Sequence, residues 1–146
     1  PMGPQRTGKA GYKGFYYHFL DMQKVLRYDQ WVELSSVDTA LLMMGVLFAQ
    51  SYYDRDDARE KEIRALADTI YKRVDWTFLQ NNKPLISMGW FPESGVIPHD
   101  WKGYNEAMMV YVLAMAFYWP AIRARLVVTV WRRRLPLPAI GNTRRA

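Results

Sequence analysis

Five carboxylates in this chain sit where chemistry could be done: Glu33, Asp38, Glu93, Asp100 and Glu106. Three of them lie in or beside GWFPESGVIPHDWKGYNEAM (89–108), a stretch that Gly89, Pro92, Gly95, Pro98 and Gly103 mark as loop. The same stretch carries Trp90, Phe91, Trp101 and Tyr104, more aromatic surface than a solvated loop needs. Glu33 and Asp38 flank two serines in ELSSVDT. Paired carboxylates over an aromatic floor suit the cleavage of a glycosidic bond. One acid protonates the leaving oxygen, and the other activates water or attacks the sugar carbon. Glu93 follows Trp90, Phe91 and Pro92, and burial beside such groups raises a carboxyl pKa, as a general acid requires. Each acid also has a plainer role open to it. Asp38 and Glu106 suit the first turn of a helix, where the macrodipole favours negative charge, and Glu93 suits an exposed loop. His18, on a strand of aromatics, reads as a packed and hydrogen-bonded residue.

Composition removes several alternatives. There is no Cys, hence no disulfide framework and no thiolate metal site. His18 and His99 are far apart, no metal-ligand spacing stands out, and DRDD (54–57) lacks the glycine and closing glutamate of a calcium loop. HExxH, GxxxxGK[ST] and GxGxxG are absent, so no metal and no cofactor is expected. The net charge of +6 is uneven: residues 1–117 hold all 14 acids and 13 Lys and Arg, whereas residues 118–146 hold seven Arg, no Lys and no acid. The basic character therefore belongs to a tail, and nucleic acid is not an expected partner. The longest apolar run, Ala107–Ile122, covers 16 residues and contains Pro120. That is short of the roughly 20 residues of a membrane span, so no transmembrane helix is expected.

The elements that must position these acids follow from periodicity. Residues 1–11 read as a flexible lead-in. GFYYHFL (14–20) and VLRYDQWVEL (25–34) read as two extended arms joined by DMQK, a small β-hairpin. Ser35 or Ser36 caps a helix over about 37–53 that is apolar nearly all round, the pattern of a helix buried on every side. A second helix over about 57–78 is apolar at Ile63, Leu66, Ala67, Ile70, Tyr71 and Val74, which leaves one wet face. A third, over about 104–116, is again mostly apolar. The order is inner, outer, inner, and antiparallel neighbours bring the N-termini of the two inner helices to one face. Glu33, Asp38 and Glu106 then share one mouth, to which the 89–103 loop brings Glu93 and Asp100. Two inner helices and one outer helix cannot close a ring. The apolar faces at 40–49 and 108–116 are then expected to lie open, and self-association through them is an expected consequence.

GFYYHFLD, ELSSVDTALLMMGVL, EIRALADTIYKRVDW, SMGWFPESG and GYNEAMMVYVLAMA stand in an order and spacing that resemble the bacterial glycoamylase-like domain. That group includes endo-β-1,2-glucanases and a domain of cyclic β-1,2-glucan synthases. The resemblance covers roughly residues 11–116. It implies an all-α architecture, part of an (α/α)6 barrel with a small N-terminal β-hairpin, in a periplasmic or cell-envelope setting. It also implies a β-glucan oligosaccharide or polysaccharide as substrate. Carried onto this chain, its acids are Glu33, Asp38, Glu93 and Glu106. Glu106 or Glu93 is expected to protonate the leaving group, and Glu33 with Asp38 to bind sugar or activate water. Tyr17, Trp90, Phe91, Asp100, Trp101 and Tyr104 are expected to shape the sugar subsites. The domain is expected over 12–117. The Arg-rich stretch 118–146 departs from the pattern and has the composition of a shifted reading frame. The alternative is a truncated, non-catalytic fragment that binds glycan or acts as a helical interaction module.

Overall fold

The computed structural model describes residues 1–117; the Arg-rich 118–146 stretch lies outside them. Among the described residues are five short strands and three helices. They are β1 (Gly11–Tyr12), β2 (Phe15–Tyr16), β3 (Leu34–Ser35), α1 (Ser36–Tyr52), α2 (Ala58–Lys72), β4 (Gly89–Phe91), β5 (Gly95–Val96) and α3 (Met108–Phe117). A 3₁₀ turn, Phe78–Gln80, lies between α2 and β4. The helices dominate, but two antiparallel sheets, β1–β2 and β3–β4–β5, correct the all-α expectation. Both sheets are only two or three residues deep. They hold loops against the helices rather than forming a layer of their own.

The first 11 residues are tied down. Gly3 N donates to Gly11 O, Ala10 N donates to Pro1 O, and Ala10 is buried. The regular hairpin is β1–β2, turned by Lys13 and Gly14 at φ 55° and 86°. Positive φ at both central residues is the type I′ condition, whose twist matches the flanking strands. The expected pairing of 14–20 with 25–34 survives as two isolated bridges, Leu20 with Arg27 and Tyr17 with Leu34. Residues 28–31 loop out between them because the two bridges are in different registers.

Gly14 also marks a close approach. A Cβ there would stand 2.2 Å from the carbonyl oxygen of Arg73, at the end of α2. Gly14→Ala is expected to destabilise the chain by about 2 kcal/mol through positive-φ strain and overpacking. A chemical-denaturation midpoint measures this; an unchanged midpoint would contradict the contact.

Ser35 is the N-cap of α1: its backbone is extended and its Oγ accepts from Asp38 N at 3.2 Å. Asp57 caps α2, accepting from Arg59 N and Glu60 N. α2 ends at Lys72, short of the expected 78, because Asp75 N is taken by Lys13 O at 2.9 Å. The bend turns Trp76 inward, edge-on to Phe15 at 5.4 Å, and both rings are fully buried. α3 begins at Met108 rather than near Tyr104. Gly103 has positive φ, and the Asn105 side chain accepts from Ala107 N at 3.1 Å.

α2 runs back along α1. Gln50, near the end of α1, donates to Arg64 O early in α2. Tyr71, near the end of α2, donates to Leu113 O of α3 at 2.7 Å. Trp101 Nε1 donates to Ser36 Oγ at 2.9 Å, tying the approach to α3 to the first residue of α1. The core lies between the helices and the small sheets, around Phe15, Leu34, Met43, Trp76, Ile86 and Val110. α1 is not enclosed as its all-apolar sequence led one to expect. Leu41, Leu42, Met44 and Phe48 are exposed among the described residues, which is the outcome expected of an incomplete ring.

Candidate active site

Three side chains meet at the N-terminal end of α1. The Tyr17–Leu34 bridge and the hydrogen bond from His18 N to Glu33 O (3.0 Å) set His18 opposite Glu33. His18 Nδ1 lies 2.7 Å from Glu33 Oε1, and its Nε2 lies 3.5 Å from Asp38 Oδ2. One imidazole thus spans two carboxylates, and only its doubly protonated form presents an N–H to both. Asp38 is fixed a second time, by Ser35 Oγ at 2.5 Å. The same serine caps the helix, so the geometry of the acid and the start of α1 are one structure. All three groups are partly open to solvent. The arrangement can bind hydroxyl groups, hold a water molecule and move a proton.

Asp38 therefore serves the helix start and the cluster together. His18 is the packed, hydrogen-bonded residue that the sequence suggested. Its two carboxylate partners follow only from the register that places 18 opposite 33, and neither arm of the expected hairpin fixes that register.

Glu93 is held elsewhere. Arg27 grips it with a fork, Nη1 to Oε1 at 2.9 Å and Nη2 to Oε2 at 3.1 Å. The guanidinium is buried and also donates to the carbonyls of Val32 (2.8 Å), Gln30 (2.5 Å) and Arg6 (3.2 Å). It lies over the Tyr17 ring, 4.8 Å from the centroid, and 5.9 Å from that of Phe91. The expectation of a raised Glu93 pKa is corrected. The hydrogen bond from Arg27 holds its carboxyl below the usual range, against a smaller opposing effect of desolvation. The pairing clamps the β4–β5 turn to the Arg27 loop.

A lowered folded-state pKa stabilises the fold above the ordinary glutamate range, and this contribution is lost as pH falls through the lowered value. The Tm gap between wild type and Glu93→Gln is therefore expected to shrink on acidification. A gap that stays constant down to about pH 3 would contradict the linkage.

The remaining expected site residues separate. Glu106 is exposed, precedes α3 instead of lying on it, and has no ion pair or hydrogen bond among the described residues. Tyr104 is 88% exposed. Asp100 bridges Ser87 and raises the Tyr111 pKa, though burial of that phenol is the larger cause. Trp90 packs on Tyr12 (5.2 Å) and Phe78 (5.8 Å), and Trp101 is committed to Ser36. Tyr17 is 3% exposed, so it offers a ligand no surface and instead supports Arg27. Among the described residues its hydroxyl has no hydrogen-bond partner, and burial is the main cause of its raised pKa. Among the described residues no group of His, Asp and Glu could hold a metal ion, and no helix is long and apolar enough to cross a membrane.

The described helices and small sheets superpose on part of glucoamylase-like structures. A candidate glucoamylase from Bacteroides uniformis superposes with a TM-score of 0.66 over 77% of this chain and 28% of its own, at 23% identity. That likeness concerns the fold alone. One relative by sequence and one by structure are β-1,2-glucan enzymes. An exo-β-1,2-glucooligosaccharide sophorohydrolase from Parabacteroides distasonis is 35% identical over 82 residues, 54% of this chain and 11% of its own. The endo-β-1,2-glucanase of Chitinophaga pinensis, solved with sophorotriose and glucose, matches with a TM-score of 0.54 at 27% identity. That match covers 57% of this chain and 20% of that one. The homologues and structural neighbours of this chain are thus β-1,2-glucanases and glucoamylase-like proteins. The chain spans only about a tenth of the curated relative. No protein-family model matches it.

Proposed function

We propose that this chain is the part of a β-1,2-glucan glycoside hydrolase that carries carboxylates at the mouth of an (α/α)6 barrel. The observation that carries the reading is the Glu33–His18–Asp38 cluster, two acids held by one imidazole at the start of an inner helix. Paired carboxylates of this kind suit the cleavage of a glycosidic bond. In this reading Glu33 and Asp38 orient and activate water, with His18 holding both in place. Glu106, exposed and unpaired among the described residues, protonates the leaving oxygen. Glu93 keeps the neighbouring turn in place through Arg27 and takes no proton-transfer role.

A second reading rests on the open apolar face of α1. In it the chain is a fragment that retains a glycan surface without turnover, or that associates through Leu41, Leu42, Met44 and Phe48. Incubation of the purified chain with linear β-1,2-glucan, run beside size-exclusion chromatography, separates the two. Release of reducing ends supports the enzyme. Binding without release supports the fragment. A chain that neither cleaves nor binds β-1,2-glucan would overturn both glycan readings, and an oligomer alone would leave only the interaction module.

A further inference from the structure

Beside the carboxylate cluster runs a strip of aromatic side chains that no element of the core uses. Phe19, Trp31 and Tyr28 are 48%, 59% and 60% exposed. They form a continuous series: His18 stacks on Phe19 at 4.3 Å and 10°, Phe19 lies 6.0 Å from Trp31, and Trp31 lies 6.2 Å from Tyr28. Exposed aromatics usually occur singly; a contiguous run is a feature of binding surfaces.

The strip is also preorganised. Tyr28 N donates to Phe19 O at 3.1 Å, and Val32 N to Asp29 O at 3.1 Å. The buried Arg27 holds the underside of the loop through the carbonyls of Gln30 and Val32. A loop backbone held in this way presents its rings with less ordering cost on binding. At its far end Tyr28 forms a wall of a cavity of about 280 Å³, whose polar lining includes Lys24, Asp29 and Gln30. The order along the surface is carboxylates, three aromatic faces, then a polar cavity.

We infer that Phe19, Trp31 and Tyr28 form a glucan-binding platform that leads successive glucose rings to the Glu33–His18–Asp38 cluster. The ligand class follows from the chemistry of the surface. Pyranose faces present C–H groups that stack on aromatic rings, and their rims present hydroxyls for the flanking carboxylates and the polar cavity. A purely apolar partner would gain nothing from the acids at one end. The inference rests on the reading of the cluster as a glucan site, and it assigns the binding of the chain to residues outside that cluster.

Fluorescence titration of the full chain with a linear β-1,2-linked glucose oligomer tests it, with size-exclusion chromatography in parallel. Trp31→Ala is expected to weaken affinity about tenfold, the usual scale for loss of a central aromatic contact. Binding by Trp31→Ala is followed through another intrinsic Trp, and Tyr28→Ala is expected to have a smaller effect in the same direction. The Tm of both variants should match wild type, because the side chains are exposed. If the wild type binds and Trp31→Ala binds equally well while Glu33→Gln weakens binding, the platform is overturned and the cluster reading stands. If Trp31→Ala weakens binding and Glu33→Gln and Asp38→Asn do not, the platform stands and the cluster reading fails. No binding by the wild type overturns both. Unchanged affinity with an altered oligomeric state would make the strip a protein interface and would also overturn the platform.

Discussion

Replacing Arg27 with methionine is expected to destabilise the chain by about 3–5 kcal/mol, the range for removing one partner of a buried ion pair. Methionine fills part of the space but supplies none of the donors. The Glu93 carboxylate loses its fork, and the carbonyls of Val32, Gln30 and Arg6 lose theirs. A buried acceptor left without a donor costs more than the net gain from the bond it once made. Small domains are stable by only about 5–15 kcal/mol, so this is a large share of the total. Arg27→Lys keeps the charge and loses the planar fork, and an intermediate loss is expected. Urea unfolding of the three proteins measures the series. A change below about 1 kcal/mol in Arg27→Met would show that the guanidinium is not the fastening of these loops.

The second large effect concerns catalysis. In a full-length β-1,2-glucanase that carries the ELSSVDT stretch, glutamine at the position matching Glu33 is expected to lower kcat on the order of 10²–10⁴-fold. KM should rise as well, because the cluster also binds the sugar hydroxyls, so the loss in kcat/KM exceeds that in kcat alone. The fold should be kept, because Glu33 has a partly exposed side chain and no part in the helix cap. Asparagine at the position matching Asp38 should lower both kcat and stability, since Ser35 and Asp38 together form the start of α1. Unchanged turnover at the Glu33 position would remove the cluster from the mechanism.

These two residues also mark how far the sequence could be read. Local signals served well where the cause is local. Ser35, the apolar run after it and the acids of DRDD mark the starts of α1 and α2 to within a residue. The order of inner and outer helices is visible in their differing apolar periodicity. What stayed hidden depends on distant partners. Arg27 sits in VLRYDQ like any exposed arginine of a strand, and its partner Glu93 is 66 residues away. The aromatics before Glu93 suggested a raised pKa, and a buried cation from another loop reverses the sign. His18 meets Glu33 only through a register interrupted by the 28–31 loop, and no alternation pattern reveals such an interruption. Lys13–Gly14 turns the first hairpin without the Asn-Gly or Asp-Gly signature. α3 starts late, at Met108, after a turn in which the Asn105 side chain accepts from Ala107 N, and this leaves Glu106 before the helix. Of the two apolar faces expected to lie open, that of α1 is exposed among the described residues, whereas Val110, Tyr111, Leu113 and Ala114 of α3 are buried, so counting helices was right for one and wrong for the other.

The claim that the start of α1 is a β-1,2-glucan site is tested most directly by an NMR titration of the chain with a linear β-1,2-linked glucose oligomer. The site predicts saturable shifts at His18, Glu33 and Asp38, spreading to the Trp31 indole. The matching β-1,4-linked oligomer should give weaker shifts. Absence of shifts, or shifts confined to the open face of α1, would contradict it.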